Sequence, residues 1–443
     1  MATSGAAPAH AAQRRMVRPL LPAGQVRLLI RIAALVAAAV AVKSFVVDPL
    51  TGHFGGAFED FGAYMGAARS MAAGGSPYAQ FTSTTPVLSG FTYPPFGAVL
   101  VRPLALLNDH QALSVWLALS LATTVIAAVI VARTALPASW PRLELAVIAA
   151  VAFGPAAYNY WHGQINGVIF LLLAIAYWAY VTGRGRTAGV VLGLAAGIKV
   201  APIVLLLLLL RRRWWQASAA MVATVVATIG LGVLALGTAA TRTFVTTVLP
   251  ALSRPMGWLY NQSLAAALSR LVDHSVLTVQ PTPLPIIVAS VALSALLLGV
   301  ATWAVRPDRR TRPERSGEFG LGVLAMLLAG SIAWYAHYTA LLIPLAAAVA
   351  LARAGDRHDR RALLIATAVT VVVFAVVAPL AIAAVSMPSL LALSRSPAWW
   401  PLLQLFSLPS LAAVWLVVPL YQSLRRAGRR VTRPPSRKGY QAS

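Results

Sequence analysis

The chain contains no cysteine. That excludes a disulfide, a thiolate metal site and a cysteine nucleophile at once. Acids are nearly as scarce: 443 residues carry 11 Asp plus Glu against 36 Lys plus Arg, so each carboxylate is a candidate for a specific task. Charged residues of either sign make up 11% of the sequence and apolar ones 59%, too few polar side chains to clothe a water-soluble globule of this size. No Walker loop and no strand-anchored G-x-G-x-x-G is present, which argues against a nucleotide as donor or energy source. The seven histidines are dispersed, without H-E-x-x-H or paired-carboxylate spacing, so no metal and no cofactor is expected.

What the sequence does have is apolar runs of membrane-crossing length, recurring from end to end. They predict an all-α polytopic membrane protein forming a single domain over 1–443, with roughly 11–13 transmembrane helices. The net charge of +25 is no nucleic-acid signal, because the basic residues cluster between the apolar runs. Clusters stand at Arg14 to Arg27, Arg211 to Arg213, Arg306 to Arg315, Arg353 to Arg361 and Arg425 to Lys438. Taken as cytoplasmic, they put basic tails 1–26 and 425–443 inside a plasma membrane and long loops 48–93 and 238–283 outside. The first run, about 28–47, is too long for a cleaved signal and lacks an A-x-A-like exit, so it reads as an anchor.

In the second half the clusters order crossings at about 214–237, 284–305, 319–335, 337–352, 361–386 and 400–424. In the first half, 94–108 and 111–133 form an expected pair. Between 134 and 210 two layouts compete. One makes three plain crossings; the other, slightly favoured, lets 143–160 dip in and return and breaks 187–210 into two halves around Lys199 and Pro202. No internal repeat of the transporter kind is evident.

Within the first external loop, Phe58, Phe61, Met65 and Ala68 recur at helical spacing and Gly74-Gly75-Ser76-Pro77 ends the run, predicting an amphipathic surface helix. Asp60 and Tyr64 share one stripe of it, whereas Glu59 points about 100° away from Asp60. Asp60 is the candidate general base: a carboxylate held near an apolar surface has a raised pKa and accepts a hydroxyl proton more readily. Lys199, deep in an apolar sequence, is functional by default, and a phosphate is its natural partner. Lys43 and Arg102 lie closer to run ends, where snorkelling explains them. His337, at an outward turn after Trp334, can donate to a phosphate oxygen, and its aromatic flanks can stack on sugar rings. Gln164 and Asn166 beside Trp161, and Asn261 and Gln262 beside Trp258 and Tyr260, supply the mixture of amides and aromatics that sugar binding uses; helix capping explains the amides equally well.

Glu59 to Tyr64, Gly75-Ser76-Pro77-Tyr78, Phe91 to Phe96 with Tyr93, Gly163 to Asn166, Gly193 to Pro202, Asn261 to Ser263 and Ser331 to His337 follow one another as in glycosyltransferase family 87, which this chain resembles from about 60 to 340. The resemblance implies a GT-C fold and an actinobacterial membrane enzyme using polyprenyl-phosphate mannose. It implies inverting transfer on the outer (periplasmic) face, with an acid of the first external loop, here Asp60, deprotonating the acceptor. Lys199 and His337 take the donor-phosphate positions; Tyr64, Tyr93, Gln164, Asn166, Asn261, Gln262 and Trp334 are the substrate-binding candidates. The implied product is an α-1,2-linked mannose on a lipid-linked mannoside: phosphatidylinositol mannoside, lipomannan or lipoarabinomannan. Family members often carry a His-His pair after the tryptophan, where this chain has Trp334-Tyr335-Ala336-His337. The competing expectations are a transporter or lipid flippase with a proton-coupled Asp60, and a GT-C enzyme using another polyprenyl-phosphate sugar such as arabinofuranose.

Overall fold

A computed structural model of the chain describes residues 22–48, 51–52, 58–83, 88–272, 282–307, 310–385 and 407–431. Most of both basic tails, and residues 386–406 at the junction of the last two expected crossings, lie outside the described residues. The fold is all helical; among the described residues the only β pairing is two isolated bridges, Thr82 with Ser89 and Asn261 with Trp334.

Six described helices are long and apolar enough to cross a membrane, or seven if the bent pair Arg142–Ala152 and Gly154–His162 counts as one span. Shorter apolar helices, Asn166–Thr182, Gly185–Ile198 and Ala201–Arg211, are packed among them. In the Gly24–Val42 span only 11% of the apolar window is buried inside the protein, against 78% in Tyr335–Ala354. The outer helices therefore face lipid, and the chain is a multi-pass membrane protein.

Hydrogen bonds fix the direction of each helix. Trp116, near the start of the Asp109–Ala135 helix, donates through Nε1 to Gly163 O at 2.7 Å, while Arg142 donates through Nε to Pro137 O at 2.8 Å just past that helix's other end. Residues 142 and 163 thus sit at opposite ends of a helix about 40 Å long. The 142–162 segment crosses the bundle with a 52° bend and does not dip and return as expected. Residues 95–106 do not cross either. Their first turns give way to a 3-10 helix at Arg102-Pro103, and Arg69 at the end of the surface helix pairs with Asp109 at the start of the next. A proline inside an apolar run removes a backbone donor and ends the α-helix early.

The Gly185–Ile198 helix packs along Trp215–Thr243, the most extensive helix pairing in the fold. Gly185, Gly189, Gly193 and Gly197 form one stripe, and the stripe meets Trp214, Ala217, Met221 with Thr224, and Thr228 in order, so the two helices run parallel. A Cβ on Gly189 would lie 2.0 Å from Ala217 O. Small residues at every fourth position let backbones approach closely where lipid offers no hydrophobic driving force. At Lys199 the backbone turns extended (φ −143°, ψ 121°), and Ala201–Arg211 runs back to the end where it began. The expected break around Lys199 and Pro202 is therefore present as a hairpin with Lys199 at its apex.

Arginines gather at the end of the bundle away from Lys199. Arg212 donates to Arg306 O and Glu318, Arg310 pairs with Glu314, and Arg426 pairs with Asp359. Four tryptophans there each carry an arginine over the ring: Trp178 under Arg184, Trp214 under Arg212, Trp140 under Arg353 and Trp303 under Arg425. This is the signature of one membrane–water interface. Beyond it the Trp215–Thr243 helix continues past a kink at Gly237 to Leu252, so the expected loop 238–283 begins as helix.

Candidate active site

The predicted surface helix spans Glu59–Ala72, with Phe61, Tyr64, Met65, Ala67, Ala68 and Met71 buried beneath it. Phe58, its N-cap, has φ 41°, a left-handed conformation that non-glycine residues hold only where surrounding contacts impose it. One such contact is the bond from its N–H to Trp161 O, 3.3 Å. The facing turn is shaped by Gly163, which has φ 65° and lies so close to Phe61 that an added Cβ would be 2.7 Å from Phe61 Cβ. Gly163 N–H bonds to Tyr160 O and Gln164 N–H to Asn159 O, a Schellman closure that ends one helix just before Asn166 begins the next.

That turn delivers two amides into a hydrogen-bonded chain. Gln164 Nε2 donates to Asp60 Oδ2 at 2.7 Å; Asn166 Nδ2 donates to Gln164 Oε1 at 2.5 Å; Lys199 Nζ donates to Asn166 Oδ1 at 2.8 Å and lies 2.7 Å from His337 Nε2. Five candidates separated by up to 277 residues of sequence thus form one polar wire, fed by the surface helix, the Gly163 turn, the hairpin apex and the 3-10 helix Tyr335–Leu341. With Nε2 accepting from the lysine, the proton of a neutral His337 ring sits on Nδ1.

Asp60 differs from the other acids in its partners. Asp48, Asp109, Glu144, Glu314, Glu318 and Asp359 each pair with an arginine or lysine, and Asp356 caps a helix. Asp60 hydrogen-bonds among the described residues only to a neutral amide. Burial pushes its pKa up to about 6, with the Gln164 hydrogen bond and the Lys199 charge pulling the other way and Glu59 adding to the rise. Glu59, offset from it on the helix, is exposed.

Tyr64 and Tyr93 join the site from below: Tyr64 OH donates to Tyr93 OH at 3.0 Å and accepts from Ile165 N–H at 3.3 Å, and Lys199 Nζ lies 5.5 Å from the Tyr93 ring centroid. Beyond Lys199 and His337 a narrow cavity of ≈ 40 Å³ runs between apolar walls that include Phe170, Leu173, Met326 and Leu327.

Asn261 and Gln262 are not brought into this constellation. Both are buried. Asn261 spends its amide on Met256 O, Ser331 O and the N–H groups of Ser263 and Ala333. Gln262 bonds Leu259 O and Ser410. They brace the strand-like segment that carries Trp334 toward His337; Trp334 itself is half buried, bridged to Asn261, and its carbonyl accepts from His337 N–H. Tyr158 is the aromatic near these amides that sequence reasoning missed. Tyr158 packs at a tilt against His162 at 4.2 Å and Tyr260 at 5.3 Å between ring centroids. The signal available in advance was the i, i+4 spacing of Tyr158 and His162 on a short helix leading to Gln164.

The sequence profile of glycosyltransferase family 87 matches residues 91–331. Among characterised proteins, the chain is similar to the polyprenol-phosphate-mannose-dependent alpha-(1-2)-phosphatidylinositol pentamannoside mannosyltransferase of Mycobacterium tuberculosis (strain CDC 1551 / Oshkosh), 29% identical over 343 residues, covering 76% of this chain and 74% of that protein. It is also 29% identical over 299 residues to the Mycolicibacterium smegmatis protein of the same name, covering 66% and 69%. Among solved structures, ArnT from Cupriavidus metallidurans bound to undecaprenyl phosphate aligns over 93% of this chain and 79% of that chain, with TM-score 0.41 and 14% identity.

Proposed function

The chain belongs to glycosyltransferase family 87, and on that premise we propose that it transfers mannose from a polyprenyl-phosphate mannose to a hydroxyl of a lipid-linked mannoside, with inversion and formation of an α-1,2 link. The donor class is supported by the two polyprenol-phosphate-mannose-dependent relatives. The observation that carries the chemical reading is the wire from Asp60 to His337: a base with a raised pKa at one end and a lysine–histidine pair at the other.

In this mechanism Asp60 takes the proton of the acceptor hydroxyl as its oxygen attacks C1 of the donor mannose. The bond from C1 to the phosphate oxygen breaks, and its electron pair leaves on the polyprenyl phosphate. Lys199 and His337 hold the growing negative charge, a role that fixed donors perform best where water is excluded. Such a leaving group needs no strong acid. Gln164 and Asn166 hold Asp60 and Lys199 in register, and Tyr64 and Tyr93 stiffen the wall below them. The resting cavity, ≈ 40 Å³, has room for about one water, so the donor enters only when its walls part.

The site is read as facing the outer side of the plasma membrane, with both termini cytoplasmic. The gathering of arginines and arginine-capped tryptophans at the opposite end supports that orientation. Phosphatidylinositol mannoside, lipomannan and lipoarabinomannan are the acceptor candidates.

The test is an in-vitro assay of the purified chain with labelled polyprenyl-phosphate mannose and a panel of lipid acceptors. Label appearing in a lipid-linked mannoside, in an α-1,2 linkage, supports the proposal. Movement of intact donor across the vesicle membrane without label transfer supports a flippase instead.

A further inference from the structure

A second cavity, ≈ 450 Å³, opens at the arginine-rich end, between the C-terminal turns of the Asp109–Ala135 and Asn166–Thr182 helices and the start of Arg312–Ala329. Arg133 and Arg312 line it, and Trp178 forms a wall with Arg184 stacked 4.4 Å over its ring. Neither Arg133 nor Arg312 makes an ion pair among the described residues, although their neighbours Arg212 and Arg310 are matched with Glu318 and Glu314. Among the described residues no acid lines the cavity. Its threonine hydroxyls are already committed, Thr134 donating to Ile130 O and Thr182 to Trp178 O, each at 2.7 Å, so the donors left for a ligand are the guanidinium forks. The remaining walls are Ile130, Ile175 and Val181. Ile126, one turn from Ile130, is 50% exposed, so the apolar wall continues onto the lipid-facing surface.

We infer that this cavity seats the headgroup phosphate of an anionic glycerophospholipid from the leaflet at the basic end, with its acyl chain along Ile130 and Ile126. Unpaired arginines supply the bidentate recognition of phosphate. The apolar wall leading to the bilayer selects a lipid over a free anion, and a basic recess between helices at this interface is where such headgroups bind. The site is remote from Asp60 and independent of the transfer reaction.

The test is native mass spectrometry of the delipidated full chain supplied with phosphatidylglycerol, phosphatidylcholine or inorganic phosphate. The wild type should retain phosphatidylglycerol selectively, and R133Q/R312Q should lose that selectivity by about thirtyfold, the effect of two cations facing one anionic headgroup. R133K/R312K keeps both charges but loses the bidentate forks and should fall between the wild type and R133Q/R312Q, which separates binding from misfolding. R360Q/R361Q removes two exposed charges from the same end outside the cavity and should change nothing. Equal loss in R360Q/R361Q, absence of selectivity in the wild type, or full competition by inorganic phosphate overturns the assignment.

Discussion

Lys199 Nζ lies 2.7 Å from His337 Nε2, joining the apex of a membrane-embedded hairpin to a 3-10 turn 138 residues later in the chain. A lysine placed so deep keeps its charge only with partners, and here they are one imidazole and one amide oxygen, with no carboxylate in the contact. The pair is left able to take an anion. Replacing Lys199 with Met should raise the donor concentration needed for half-maximal rate and lower turnover, by about 10 to 100-fold together, the size of one lost hydrogen bond to a charged group. Donor titration at saturating acceptor checks this; unchanged saturation and rate would remove the phosphate role.

The acid limb of the pH profile belongs to Asp60. Its pKa is raised by burial to about 6, and the base works only when deprotonated. Turnover should therefore be flat above neutrality and fall about tenfold per pH unit below about 6. A profile of kcat/KM for the acceptor that stays level well below that point would assign proton transfer to another group.

Glu59 and Asp60 are neighbours with different fates. Glu59 is exposed and Asp60 is hydrogen-bonded inside the site. Glu59→Gln should leave transfer within about twofold of wild type, as exposed substitutions do. A loss matching that of Asp60→Asn would show that the two act as a pair.

Gly189→Leu should destabilise the fold without touching the site's chemistry. Its Cβ would collide with Ala217 O, and overpacking costs about 1–3 kcal/mol or more where backbone is the obstacle. A lower thermal midpoint in detergent, with Gly230→Leu as a control in open space, measures it. Equal midpoints would mean that the glycine stripe is not what holds the hairpin.

The class of fold and the titratable members of the wire were legible because scarcity marks them: few acids and few intramembrane cations leave Asp60, Lys199 and His337 exposed to inference. The break at Lys199 and Pro202 was legible from the proline and the charge. The path of 95–162 was not, since Arg102-Pro103 and the bend at Phe153-Gly154 make apolar runs of similar length do different things, one staying at the site end and one crossing. Nor could sequence separate Gln164 and Asn166, which enter the wire, from Asn261 and Gln262, which brace a loop; both pairs sit beside aromatics, and only the three-dimensional bonds distinguish them.

The most direct measurement is label transfer by purified Asp60→Asn with donor binding followed in the same preparation. The amide keeps the size of the carboxylate and a hydrogen-bond partner for Gln164 but cannot accept the acceptor's proton. Donor binding should persist while turnover falls by about a hundredfold or more. Turnover near the wild-type rate with donor bound would contradict the account at its centre.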